Sequence, residues 1–311
     1  MTRSAFGRAV AIAIPLLIAA AAAWGIWPRS ASSAAPSAAA VTRPAACATL
    51  PARFTGVALP GPQSLTLPRF TQESGVRPQV LEFYSKFSYG FIAGPAVTAE
   101  SAGAVPLLQW IPPHYDLLSQ IAAGKFDSYI HQFARSVSSF GCPLMLSFGH
   151  EFNGPWWPWG VGHQPATAFV AAWRHIHDVF IAGGVRNVIW VWNPNIITDP
   201  GVAKPAPWWP GAAYVNMVAL DGYYWATSTT FSPVFNSSIA SVRQFSDKPM
   251  FIAETGVDPG PGMAGRVTDV FDGAARSGLT GIVYFDIPGN RDWRLERNPA
   301  ALAAFRTASR E

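Results

Sequence analysis

The sequence predicts a (β/α)8 TIM barrel with a single catalytic domain, and three observations predict it. Short apolar runs alternate with helical or loop stretches over roughly 260 residues, the usual length of such a barrel. The runs are almost continuously apolar, as strands buried on both faces of a parallel sheet are. Polar or aromatic residues follow directly on six of the eight runs, at the strand ends that open on a barrel's cleft. A doubly wound open sheet is the competing architecture, but no Gly-rich phosphate loop follows an early strand.

The eight predicted strands are Phe54–Leu59, Val80–Phe87, Val105–Trp110, Leu144–Phe148, Val188–Trp192, Val215–Leu220, Met250–Ala253 and Ile282–Phe285. The clearest helix runs from Pro165 to Ala182. Phe169, Trp173, Ile176 and Phe180 recur on one face, Pro165 suits the first turn and Gly183-Gly184 ends it. Weaker helical patterns cover Phe126–Phe140, Val234–Phe245, Gly265–Ser277 and Pro299–Ser309.

The N-terminus reads as an export signal. Arg3 and Arg8 precede a 19-residue apolar run, Ala9 to Trp27, and Ser/Ala/Pro-rich sequence follows. The expected organisation is a signal peptide or signal anchor over 1–29, a linker over 30–46 and the barrel over 47–311. The run is long for a cleaved signal and just long enough to span a bilayer, so both a secreted form and a membrane tether through residues 9–27 are open. Export would place Cys47 and Cys142 in an oxidising compartment, which favours a disulfide over two free thiols. A monomer is expected.

Charge narrows the function classes. Once Arg3, Arg8 and Arg29 are set aside, 19 of the 22 basic residues remain against 18 acidic ones, and no Lys/Arg-rich run appears. Nucleic acid is therefore not an expected partner. The 13 Trp include clusters beside Gly and Pro, which suit stacking on sugar rings.

Two carboxylates stand out. Glu151 leaves the fourth strand into a loop holding Trp156, Trp157 and Trp159, with no Arg or Lys between Gly141 and His163. A carboxyl among indole rings without a local cation has a raised pKa, as a general acid requires, although a structural ion pair at a barrel mouth is the competing reading. Glu254 ends the seventh strand, and Gly256 lets the loop turn away from it. A pair on strands four and seven faces across the mouth, as glycosidic cleavage needs. His150 does not complete a zinc motif, because position 154 is Gly; neither metal nor cofactor is expected. Trp110, Trp156, Trp157, Trp159 and Trp225 are candidate subsite walls, at least two of which are expected to pack the core instead. Asn193, Asp221 and Tyr223 follow strands five and six, the Tyr hydroxyl within reach of a nucleophile and Asp221 either functional or structural.

These residues resemble glycoside hydrolase family 26. The resemblance rests on His150-Glu-Phe-Asn-Gly-Pro-Trp156 with Trp159-Gly160 behind it, on Trp190-Val-Trp-Asn-Pro194, on Leu220-Asp-Gly-Tyr223 and on Ile252-Ala-Glu-Thr-Gly256. It implies a retaining β-glycosidase on a polysaccharide, with Glu151 as acid/base and Glu254 as nucleophile. It further implies His150 and Trp156 in the subsite where the bond breaks, and Tyr223 as partner of the nucleophile. An endo-β-1,4-mannanase is the implied activity. A β-1,3-1,4-glucanase, a β-1,3-xylanase or a barrel that only binds carbohydrate are the alternatives. Ser147 stands where many mannanases of the family carry Arg, and Ile111 where the family often has His.

Overall fold

The computed structural model describes residues 46–112, 117–289 and 291–310. The leader 1–29, nearly all of the linker 30–46 and His114 lie outside the described residues. Among the described residues no helix is long and apolar enough to cross a membrane.

Eight parallel strands close into one barrel in chain order, with β1 pairing both β2 and β8. They are β1 (Phe54–Ala58), β2 (Val80–Lys86), β3 (Val105–Ile111), β4 (Leu144–Phe148), β5 (Val188–Trp192), β6 (Met217–Asp221), β7 (Met250–Thr255) and β8 (Gly281–Phe285). Each expected strand is present, and the ends shift by one or two residues. At β6 the ladder starts later than the apolar run, because the Asn216 side chain accepts the Trp190 N–H in place of a backbone carbonyl.

Strand alternation divides the core in two. Phe54, Val80, Leu107, Met145, Val191 and Phe251 are among the side chains that fill the barrel interior. The other face of each strand packs against the helices. These are α1 (Gln63–Ser74), α2 (Ala93–Ser101), α3 (Leu117–Ala122), α4 (Asp127–Phe140), α5 (Ala166–Ala182), α6 (Ser237–Arg243), α7 (Met263–Arg276) and α8 (Pro299–Ala308). α4 and α5 bury the faces their sequences mark: Ile130, Phe133 and Val137 in one, Phe169, Trp173, Ile176 and Phe180 in the other. Pro165 caps α5 rather than entering it.

The sequence did not mark α1, α2 or α3. α1 carries an internal Pro68 and buries only Leu67, Phe70 and Ser74, while α2 is built largely of small residues, so neither shows a clear apolar stripe. The helix expected over Val234–Phe245 is instead a π-helical turn, Ser232–Asn236, leading into the shorter α6.

Cys47 and Cys142 form a disulfide across 95 residues of chain. It ties the segment before β1 to the entry of β4. The same segment is held by the Ala48 N–H, which donates to Glu100 at 2.6 Å, and by Ala48 and Leu50 packing on the interior core.

Candidate active site

Two local departures from regular strand geometry bring the carboxylates together. β7 points Phe251 and Ala253 into the barrel, so alternation alone would turn Glu254 outward. The register shifts here: Leu220 pairs with Ile252, but Asp221 pairs with Glu254. One extra residue on β7 forms a bulge, and the bulge returns Glu254 to the inside. Glu151 is placed differently. It adopts a left-handed backbone, φ 54°, the one non-glycine to do so among the described residues. That conformation costs a side-chain-bearing residue about 1–2 kcal/mol. It is held by the Glu151 N–H donating to the Asn193 carbonyl and by the Gly154 N–H donating to the Glu151 carbonyl, at 2.8 and 2.9 Å.

The result is a compact group of three buried acids. Carboxylate oxygens of Glu151, Asp221 and Glu254 all lie within 4.8 Å of one another. Such a cluster is also what a cation would seek. Here the oxygens of Glu151 and Glu254 each accept at least one hydrogen bond from a protein donor. Glu151 accepts three N–H bonds: Asn195 Nδ2 to Oε1 at 2.6 Å, Trp156 Nε1 to Oε2 at 2.7 Å and Trp157 Nε1 to Oε2 at 2.8 Å. Glu254 accepts two hydroxyls, Tyr84 at Oε1 and Tyr223 at Oε2, each at 2.7 Å.

The electrostatics follow from burial. Desolvation raises the Glu151 pKa, and the three N–H donors pull the other way because they favour the charged form. Desolvation also lifts Glu254, the Glu151 charge adds to it, and the two tyrosines oppose; the balance is about 7. The Asp221 pKa is raised well above its ordinary value, first by burial and then by the charges of Glu254, Glu151 and Glu82. Asn193 Nδ2 donates to it at 3.0 Å. Glu82 sits inside β2 and is likewise raised by burial and by Glu254, with Gln109 Nε2 donating to it at 2.7 Å. His150 lies with Nε2 4.0 Å from Glu254, and burial lowers its pKa to about 3, so it is a neutral imidazole.

The expected site residues divide into those that face the cleft and those that do not. Glu151, Glu254, His150, Trp156 and Tyr223 come together around the carboxylate pair, and Trp225 packs at 5.6 Å from the Tyr223 ring. Trp156, Tyr223 and Trp225 are half-buried. Trp110 does not reach it. Its side chain is on the outer face of β3, stacked on Phe133 at 4.2 Å and fully buried against the helices. Trp159 is also buried, stacked on Trp157 at 4.8 Å, and its Nε1 donates to the His150 carbonyl at 2.8 Å. It supports the loop from behind. Asn193 and Asp221 lie beneath the carboxylate pair and bond to each other.

Four residues of the site were not singled out by sequence: Tyr84, Glu82 and Asn195 around the carboxylates, and Trp293 against Tyr223. Tyr84 and Glu82 sit inside β2, where the alternation Val80, Glu82, Tyr84 is a signal that a polar interior face could have supplied. Asn195 lies two residues past Asn193 in the same loop. Trp293 packs on Tyr223 at 5.1 Å, and a Cβ on Gly256 would meet its ring, so Gly256 makes room for it.

Comparison with known proteins fits this geometry. The model of glycosyl hydrolase family 26 matches residues 119–247. Endoglucanase H of Acetivibrio thermocellus is 28% identical over 263 residues, which cover 79% of this chain and 29% of that protein. Mannan endo-1,4-beta-mannosidase A and B of Caldalkalibacillus mannanilyticus is 32% identical over 164 residues, 50% of this chain and 29% of that protein. The chain thus spans under a third of the length of these two relatives. The catalytic domain of the Bacillus sp. JAMB-750 GH26 endo-beta-1,4-mannanase superposes with a TM-score of 0.67 at 16% identity, covering 83% of this chain and 86% of that one. A Cellulomonas fimi endo-beta-1,4-mannanase gives 0.66 at 16% identity, covering 83% and 70%. Both share the barrel fold.

Proposed function

We propose that this chain, a member of glycosyl hydrolase family 26, is an exported retaining β-glycosidase that cuts a polysaccharide backbone. The observation that carries the mechanism is the closeness of Glu151 and Glu254, with carboxylate oxygens within 4.8 Å. Retaining glycosidases hold their carboxyl groups about 5–5.5 Å apart, whereas inverting ones leave roughly 6.5–9.5 Å for a water. Glu254, between two tyrosine hydroxyls, is the nucleophile: it attacks the anomeric carbon and forms a covalent glycosyl-enzyme. Glu151 gives its proton to the departing glycosidic oxygen, then takes a proton from the water that releases the sugar. His150 stays neutral and so does not pair with the nucleophile as a cation.

Export is supported by the Cys47–Cys142 disulfide, which belongs to an oxidising compartment, and by the charged, apolar, small-residue order of the first 46 residues. A monomer is proposed, and a tether through residues 9–27 is the membrane-attached form of the same reading. The proposed substrate is β-1,4-mannan, after the mannan endo-1,4-beta-mannosidases among the relatives. A β-glucan is the second reading. It is favoured by the longer match to an endoglucanase and by Ile111 and Ser147 at positions where the mannanase pattern has His and Arg.

The test is to assay the purified protein on mannan, glucomannan, mixed-linkage glucan, xylan and β-1,3-glucan, with Glu254→Ala and Glu151→Ala beside it. Glu254→Ala is expected to abolish turnover. Glu151→Ala with azide is expected to yield a β-glycosyl azide. Full activity in either variant, or binding with no new reducing ends on any substrate, would overturn the reading.

A further inference from the structure

The acid/base carboxyl is held unevenly. Oxygen Oε2 of Glu151 takes both indole N–H groups, from Trp156 and Trp157, while Oε1 takes one amide N–H, from Asn195. A carboxylate oxygen has about two in-plane acceptor sites. Oε2 is therefore filled, and Oε1 keeps one site open. All three partners are donors, so none of them can receive the acid proton.

The two indoles belong to the loop that Glu151 itself begins. Asn195 belongs to another part of the barrel, the extension of β5, where it bridges to Asp221. It is nearly buried and is itself clamped. The Asn195 backbone N–H donates to Asn153 Oδ1 at 2.8 Å, and Asn153 Nδ2 donates back to the Asn195 carbonyl at 2.8 Å. Asn153 stands two residues after Glu151. Its amide thus mimics a strand partner and closes a circuit from the Glu151 backbone, through two asparagines, to the Glu151 carboxyl.

We infer that Asn195 is a positioning residue for acid/base catalysis, one that turns the Glu151 carboxyl so that Oε1 is the oxygen that gives and takes the proton. The inference rests on the reading of Glu151 as acid/base given above. In the first half-reaction the proton moves from Oε1 to the glycosidic oxygen as that oxygen's bond to the anomeric carbon breaks and takes the electron pair. In the second, Oε1 accepts a proton from the water that attacks the same carbon. Without Asn195 the carboxyl is held by the indoles at Oε2 alone, nothing fixes Oε1, and the open site is no longer kept facing the leaving oxygen. Its N–H also favours the charged carboxylate, so its loss moves the ionisation of Glu151 to higher pH.

The experiment compares Asn195→Ala and Asn195→Asp with the parent and with Glu151→Ala. It reads kcat/KM for the polysaccharide and for 2,4-dinitrophenyl and phenyl β-glycosides of the sugar hydrolysed, across pH. A dinitrophenolate leaves without a proton, and a phenolate or sugar needs one. Mispositioning of a general acid costs about 10- to 100-fold. Asn195→Ala is therefore expected to lose about that factor on the phenyl glycoside and the polysaccharide, less than about threefold on the dinitrophenyl glycoside, and to shift the basic limb to higher pH. Asn195→Asp, nearly isosteric, removes the same donor and guards against a folding defect in the alanine variant. Equal losses on both aryl glycosides with an unmoved basic limb, in variants that fold, would overturn the inference. If Glu151→Ala itself turned over the phenyl glycoside normally, the acid/base reading would fall instead.

Discussion

Replacing Tyr84 by Phe removes one hydroxyl from the nucleophile and leaves the rest of β2 in place. Tyr84 donates to Glu254 Oε1 at 2.7 Å, and Tyr223 donates to Oε2 at the same distance. A hydrogen bond to a charged group contributes about 1.5–3 kcal/mol. One pH unit in an ionisation corresponds to about 1.4 kcal/mol, so loss of the bond amounts to roughly one to two pH units. The remaining tyrosine still stabilises the carboxylate, which places the expected change near the lower end. The sign is clear: the bond favours the ionised form, so removing it raises the pKa of Glu254, already lifted to about 7 by burial and by Glu151. Turnover needs Glu254 ionised. The acid limb of the kcat/KM profile should therefore move up by about one pH unit, and well below that limb the variant should be about tenfold slower than the parent. On the alkaline side of the limb the difference should shrink. The assay is initial rate against pH at low substrate concentration, with a Tm measured on each preparation. A loss of the same size at every pH, with the limb unmoved, would refute the reasoning, because Tyr84 would then act through shape rather than through the charge of Glu254.

Two further perturbations test the supports of the site. Cys47→Ser with Cys142→Ser opens a cross-link over 95 residues. Chain entropy puts its worth at about 4.7 kcal/mol, or roughly a 9 °C fall in Tm for a domain of this size, and a Tm within about 2 °C of the parent would rule out that contribution. Gly154→Ala places a methyl group well inside contact distance of the Trp156 ring, which must swing and withdraw its N–H from Glu151. A loss of about tenfold in kcat/KM is expected, as for other small displacements around a general acid. Gly94→Ala, with nothing within 4 Å of the added methyl, is the control and should leave activity unchanged.

Much of the barrel was legible in the chain because its strands are apolar on both faces and its loops are not. Apolar runs located all eight strands, and α4 and α5 showed their buried stripes. The acids were legible for a related reason: a carboxylate at the end of an apolar run, without a cation nearby, has no packing role that would explain it. The helices α1 to α3 were not legible, since small residues and an internal proline blur the periodicity. Trp110 was misassigned to the cleft, although the alternation of β3 already turns Leu108 and Trp110 outward and Leu107 and Gln109 inward. Counting two residues at a time along the strand would have excluded it.

By itself, then, the sequence determined which two glutamates stand at strand ends, which loops carry the tryptophans and in what order the eight units follow. Only the tertiary structure decided how the glutamates face each other. Strand alternation would have sent Glu254 outward, and a bulge set by its pairing with β6 turns it in. Glu151 holds a left-handed backbone that its own residue type disfavours, and it does so because Asn193 and Gly154 bond to its peptide groups. The partners that set the two carboxyls, Tyr84 on β2 and Asn195 beyond β5, come from 170 and 44 residues away along the chain. Such contacts carry no local periodicity. They exist because closing the barrel makes neighbours of strand ends that the chain keeps far apart.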